Sequence, residues 1–175
     1  MNILITESQF KRLIENIIDE SNNDIKTQEF IDILNQENIP YEIKNNKIII
    51  GGDNNINSEL ITYIPDNVEF NNGDDVDLDY LKEMGNNIKF NNKGYVNIDS
   101  LDRVGNNILF NNKGYVALDS IIWFSINSVN FTNNVKDVYF GKELFWGNEF
   151  PYQIYNIKGN FKMWDDKKGD YKIIK

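Results

Sequence analysis

The chain contains neither cysteine nor histidine. Without cysteine there is no disulfide, no thiolate nucleophile and no thiolate metal ligand. Without histidine the usual zinc sites and the Ser-His-Asp triad are excluded, together with the one side chain that titrates unaided near neutrality. Chemistry is thereby restricted to carboxylates, lysines, tyrosines and hydroxyls, and no cofactor or metal is expected. Long apolar runs are lacking as well. Nothing approaches the roughly 18 consecutive apolar residues of a membrane span. The opening MNILITESQFKR has none of the charged, apolar and small-residue sections of a secretory signal, so it reads as mature sequence.

What is present is the composition of a folded protein: 41% apolar and 13% aromatic residues argue against disorder despite the abundant asparagine. The net charge of −9 is unevenly placed. Residues 51–84 hold nine acids against Lys82 alone, whereas 85–175 is slightly basic. Such a patch repels a nucleic-acid backbone and attracts a basic surface.

Residues 6–20 carry a helix signal. Thr6 and Gln9 fit a capping box, and Phe10, Leu13, Ile14, Ile17 and Ile18 recur at helical spacing, a stripe that demands burial. A second helix is expected from Thr27 to about Asn38, with Phe30, Ile31 and Leu34 inward and Pro40 marking its end. Ser21-Asn22-Asn23-Asp24 between them reads as a turn, which makes a helical hairpin.

From residue 45 the sequence repeats. The segments 65–84, 85–104 and 105–124 align without a gap, 45–64 is a weaker copy, and a decayed copy starts near Val129 and Phe131. In each coil Val68/Phe70, Ile88/Phe90 and Ile108/Phe110 alternate with polar residues, as do Val76/Leu78, Val96/Ile98 and Val116/Leu118. Period two implies strands with one buried face. Each coil thus supplies two strands and a compact turn, and stacking places Phe70, Phe90, Phe110 and Phe131 in one column. The asparagine pairs 71–72, 91–92 and 111–112, with Gly94 and Gly114, fall where the chain turns and left-handed backbone is useful. Downstream, Gln153–Ile157, Phe161–Trp164 and Tyr171–Ile174 read as the strands of an aromatic meander that closes the solenoid.

The phrases IPDNVEFNN, IKFNNKGYVNIDSL and ILFNNKGYVALDSI resemble leucine-rich-repeat-like arrays in uncharacterised proteins of large bacteriophages and environmental bacteria. The opening MNILITESQFKRLI is similar to the first residues of many small phage proteins. The resemblance implies a horseshoe or β-solenoid, protein recognition and, for a phage protein, residence in the host cytoplasm during infection. It hands over no catalytic residues. The expected fold is therefore α+β: a short β-solenoid of leucine-rich-repeat-like 20-residue coils over 45–144. A helical cap over 1–44 and an aromatic β cap over 145–175 complete one continuous unit.

Because Val76 and Leu78 point inward, Asp75, Asp77 and Asp79 point outward together, with Asp74 beside them. They form either a solvated face or a binding face. The column Asp79, Asp99, Asp119 is also explained by capping of the turn that follows. Outward positions become apolar by the third coil, which the C-terminal meander covers unless the patch is an interface. In the second case Tyr95, Tyr115 and Trp123 are the aromatic anchors. A carboxylate-dependent polysaccharide hydrolase would need a pocket that nothing in the sequence signals.

The leading expectation is a non-enzymatic phage accessory protein. Its partner would be a protein with a basic surface, and not nucleic acid, a membrane or a small molecule. Inhibition of a host defence or nucleic-acid-processing complex would suit the acidic patch. The alternative is a virion or assembly component docked by its N-terminal helix, and Ile18-Asp19-Glu20 resembles the cleavage signal of some phage prohead proteases.

Overall fold

Helix α1 (Glu7–Gln36) starts at the expected capping box: the Thr6 N–H donates to Gln9 Oε1 at 2.9 Å, and Gln9 N donates back to Thr6 Oγ1 at 3.3 Å. The computed structural model describes residues 6–119, 129–132, 134–141, 159–165 and 167–173. Its first difference from expectation is that α1 is one helix of 30 residues and not a hairpin. Ser21–Asp24 contains neither glycine nor proline. Poor helix formers cost only about 0.5 kcal/mol each, less than nucleating a second helix. Tertiary contacts also hold this stretch straight. Thr27 Oγ1 donates to the Asn23 carbonyl at 2.7 Å, Tyr63 OH donates to Asn23 Oδ1 at 3.5 Å, and Lys26 Nζ lies 4.3 Å above the Tyr63 ring. The helix ends at Gln36, and Asn38, just past the cap residue Glu37, has a φ of 56° that lets Ile39 N donate back to the Leu34 carbonyl at 2.8 Å.

Only the second half of α1 is packed. Phe30 and Leu34 are buried at the start of the solenoid, with Ile31 and Ile33 against the same core. The stripe from Phe10 to Ile18, expected to be buried, is instead 40–53% exposed.

After α1 comes a hairpin of β1 (Tyr41–Lys44) and β2 (Lys47–Gly52). Its two-residue loop, Asn45-Asn46, has φ of 51° and 58°, the left-handed pair that a tight hairpin turn requires. Strands β3 (Ile56–Asn57) and β4 (Tyr63–Ile64) complete the first coil. The second holds β5 (Val68–Asn72), β6 (Val76–Asp77) and β7 (Glu83–Met84). The third holds β8 (Lys89–Phe90), β9 (Val96–Asn97) and β10 (Arg103–Val104). Then follow β11 (Ile108–Phe110) and β12 (Val116–Leu118), β13 (Val129–Phe131) and β14 (Asp137–Phe140), and finally β15 (Asn160–Asp165) and β16 (Asp170–Ile173).

The coils stack as a three-faced β-solenoid. One sheet runs β1-β2-β5-β8-β11-β13, a second β3-β6-β9-β12-β14-β15-β16, and a third, of two-residue strands, β4-β7-β10. Each of the first three coils thus has three strands where two were expected. The third is too short to show a periodicity, and its ladder is visible only in bonds such as Gly85 N to the Ile64 carbonyl and Gly105 N to the Met84 carbonyl, both 2.8 Å. Pairing is parallel and 20 residues apart through the regular coils, as in Phe70 with Phe90 and Val76 with Val96. Antiparallel partners appear at the two ends, where β1 lies on β2 and β16 on β15.

Every inward assignment among the described residues of the regular coils holds. Phe70, Phe90, Phe110 and Phe131 stack with centroids 4.7, 5.0 and 5.2 Å apart, and Leu81 and Leu101 are buried beneath the turns. The asparagine pairs act differently from expectation. The left-handed residues are Asn67, Asn87 and Asn107, at φ of 62°, 59° and 60°. The second member of each FNN pair is buried instead: Asn92 Nδ2 donates to the carbonyls of Asp74 and Tyr95 at 3.2 and 2.9 Å, and Asn112 repeats this toward Gly94 and Tyr115. The amide adds a second donor to corner carbonyls that already accept from the adjacent coil, as the Tyr95 carbonyl does from Val76 N at 3.0 Å. The C-terminal strands are also placed differently. β15 continues the solenoid parallel to β14, so only the β15–β16 pair is antiparallel. Residues 153–157 and Trp123 lie outside the described residues. Among the described residues no helix is long and apolar enough to cross a membrane.

Candidate partner-binding face

The outer surface of the second sheet gathers most of the residues singled out by their outward parity. Strand β6 turns Val76 inward, so Asp75 and Asp77 face out. One coil on, β9 presents Tyr95 and Asn97, and β12 presents Tyr115 and Ala117 in the same columns. Asp74 and Asp79 are exposed, whereas Asp75 and Asp77 are half-buried and tied into the next coil. Asp75 Oδ1 accepts from Tyr95 N at 2.8 Å. The Asn97 amide bridges two carboxylates, donating to Asp77 Oδ1 at 3.1 Å and to Asp79 Oδ1 at 2.6 Å.

Asp79 and Asp99 do not cap their own turns, and the turn after Asp119 lies outside the described residues. The turn bonds are backbone ones, Leu81 N to the Leu78 carbonyl at 3.0 Å and Leu101 N to the Ile98 carbonyl at 3.4 Å. Asp99 Oδ1 instead accepts from Asp119 N of the next coil at 3.2 Å. In the first coil a side chain does cap the turn, where Ser58 Oγ accepts from Leu60 N and Ile61 N at 3.2 and 3.1 Å.

Burial, and after it the crowding of like charge, shows in the titrations. Burial and the neighbouring Asp79 charge push Asp77 above the usual carboxylate range. Burial, with the charges of Asp119, Asp79 and Asp77 against one backbone hydrogen bond, carries Asp99 to about 6. Tyr95 and Tyr115 are raised by burial and then by Asp75 and Asp77.

Asp99 makes stability depend on pH. In the folded protein it holds a proton that the unfolded chain, with a carboxyl near its ordinary value of about 4, has already released. Its contribution therefore falls as pH rises from about 4 to about 6 and is flat above. Solvent reaches this half-exposed group, so the loss is on the order of 1 kcal/mol. Asp99→Asn keeps the acceptor for Asp119 N. Urea unfolding at pH 4 to 7 should show this variant losing less stability than wild type across the window and ending more stable at pH 7. Identical pH slopes for the two proteins would refute the assignment.

The aromatic part of the face is longer than the sequence suggested. Tyr95 stacks on Tyr115 at 4.9 Å with planes 4° apart, Tyr115 meets Tyr139 edge-on at 5.5 Å, and Tyr139 meets Tyr171 edge-on at 5.0 Å. The Tyr171 hydroxyl donates to Asp119 Oδ2, and burial together with that bond raises its pKa. Lys162 closes the row, 3.1 Å from Asp137 and 3.0 Å from the Tyr139 hydroxyl. Tyr139 and Tyr171 escaped sequence reasoning because the spacing drifts. Ile108 pairs with Val129, Val116 with Val138 and Val138 with Phe161, separations of 21, 22 and 23 residues. Tyr80, 52% exposed beside Asp79, carried no periodic signal at all.

This surface is acidic, flat and rimmed by tyrosine hydroxyls. The stacked rings of Tyr95 and Tyr115 cover each other's faces and leave edges for a partner. A groove of about 960 Å³ lies on a different flank, between α1 and the third sheet, but its cations Lys26 and Arg103 both converge on Glu83, at 3.5 and 2.8 Å. In comparisons with known proteins the chain matches no family model, no curated protein and no solved structure.

Proposed function

We propose that this is a non-enzymatic phage accessory protein that holds a basic protein surface against the outer face of its second sheet. Phage origin rests on the resemblance of the repeats and the opening residues. The observation that carries the binding role is the crowding of Asp74, Asp75, Asp77, Asp79, Asp99 and Asp119 beside the Tyr95–Tyr115 stack. Burial first, and then the neighbouring carboxylates, raise the pKa values of Asp77 and Asp99, and a cationic partner would offset the second of these causes on binding. Arginine suits the surface best, because its planar guanidinium pairs with a carboxylate through two parallel hydrogen bonds. A protein that binds nucleic acid through a basic groove offers that chemistry, and occupation of such a groove would inhibit a host defence or nucleic-acid-processing complex.

The test is capture from host lysate across a salt series. The wild type should retain a basic protein at low ionic strength and release it as the Debye length falls from about 10 Å at 0.1 M to about 3 Å at 1 M. The variant with Asp74, Asp75, Asp77 and Asp79 all changed to asparagine should lose that capture while melting normally. Unchanged, salt-insensitive capture would sink the reading.

A further inference from the structure

We infer that Asn72 is a site of spontaneous covalent modification which the folded chain holds shut, and that its conversion bars an unfolded chain from returning to the fold. Asn72-Gly73 is the one Asn-Gly step in the sequence. In such a step the main-chain nitrogen of the glycine, with no Cβ to shield its approach, attacks the side-chain carbonyl carbon of the asparagine. The bond from that nitrogen to Cγ forms and the bond from Cγ to Nδ2 breaks. The amide group leaves as ammonia, carrying the proton that the glycine nitrogen gives up. Water then opens the five-membered imide at either of its carbonyls, and residue 72 becomes an aspartate or its β-linked isomer.

Both reacting groups are tied down in the second coil. Gly73 N donates to the Gly52 carbonyl at 2.6 Å, so the nucleophile is engaged with the preceding coil. Asn72 is 2% exposed at the end of β5, and its Nδ2 donates to the carbonyls of Asp74 and Asp75, both at 3.0 Å. All three bonds must break before attack, so the native chain reacts only through openings that part the first and second coils. Asn92 and Asn112 fill the same buried position but are followed by Lys93 and Lys113, whose side chains shield the nitrogen. The second coil is different because its glycine comes one residue earlier than Gly94 and Gly114 do in theirs.

Neither product fits the site that Asn72 leaves. An aspartate places a charge where the amide donated, facing two carbonyl oxygens in a space closed to water, and a buried unpaired charge is strongly destabilising. Asp74 and Asp75, next in the chain, add repulsion of the same sign. The β-linked isomer inserts an extra main-chain atom. Strand β5 pairs residue by residue with β2, Asn71 with Gly51 and Asn72 with Gly52, so the insertion throws everything beyond it out of register. Time spent open is thereby turned into irreversible loss.

Peptide mass mapping of the full chain tests this, after parallel incubations at mildly alkaline pH in buffer alone and in guanidinium chloride strong enough to unfold it. In denaturant the peptide carrying residues 72 and 73 should gain the mass of an amide-to-acid exchange, and Gly73→Ala should slow that gain severalfold. In buffer the wild type should convert at least about tenfold more slowly, in proportion to the fraction of open molecules. Asn72→Asp, made directly, should lack the cooperative melt of the wild type, whereas Asn71→Asp, one residue away and exposed, should lose little. Conversion at Asn72 that is absent in denaturant, or as fast in buffer as in denaturant, overturns the proposal. So does a Gly73→Ala chain that converts at the wild-type rate in denaturant, or an Asn72→Asp chain that melts like the wild type.

Discussion

Replacing Phe90 with alanine should lower stability by about 3–5 kcal/mol, the cost of emptying a fully buried aromatic site. Phe90 lies between Phe70 and Phe110, with centroids 4.7 and 5.0 Å away, so its loss removes stacking on both sides and leaves a void where coils meet. Tyr95→Ala, five residues on and outward, should cost about 1 kcal/mol, the order of one aromatic pair. Thermal melts of the two variants separate these outcomes. Equal midpoints would mean that inward and outward faces are exchanged, and the proposed binding face would move with them.

Gly114→Ala should be worse still. A Cβ there would stand 2.5 Å from the Gly94 carbonyl carbon and 2.6 Å from Tyr95 N, backbone atoms that cannot swing aside. The coils are held together at this corner by Gly114 N to the Gly94 carbonyl at 3.0 Å and Lys136 N to the Gly114 carbonyl at 3.0 Å. Relieving the clash means parting the coils and breaking those bonds, a loss beyond the roughly 4–5 kcal/mol that marks an exceptional substitution. Loss of cooperative unfolding is the expected result. Gly51→Ala, where nothing lies within 4 Å of the added methyl, is the control and should melt like wild type.

Gly114 also shows where sequence reasoning gives out. A glycine in a turn suggests left-handed backbone, yet the left-handed positions are the asparagines 67, 87 and 107, and Gly94 and Gly114 are required by close approach of neighbouring coils. One chain shows its own alternation but not what lies 20 residues away in the next layer. For that reason the columns Phe70–Phe90–Phe110 and Asp77–Asn97–Ala117 were legible from a strict period, whereas the buried amides of Asn72, Asn92 and Asn112 were not. Two-residue strands such as Tyr63–Ile64 carry no period to detect. In α1, local preference favoured a break at Ser21–Asp24, and contacts to Tyr63 and Glu83 from distant coils overrode it. The candidate face divides likewise. Asp74 to Asp79, Tyr95 and Tyr115 follow from parity, while Tyr139 and Tyr171 needed the drifted register.

The strict 20-residue pairing of the middle coils makes the molecule extensible. A duplicate of residues 85–104 inserted after Val104 would meet, above and below, surfaces like those its parent already fits. It would also continue the phenylalanine column, the buried amides and the corner glycines. Each such addition would lengthen the rod by about 4.8 Å, the spacing of hydrogen-bonded strands. The distance between the helix at one end and the antiparallel strand at the other is thus a quantity that tandem duplication can set in equal steps, as marks are added to a ruler.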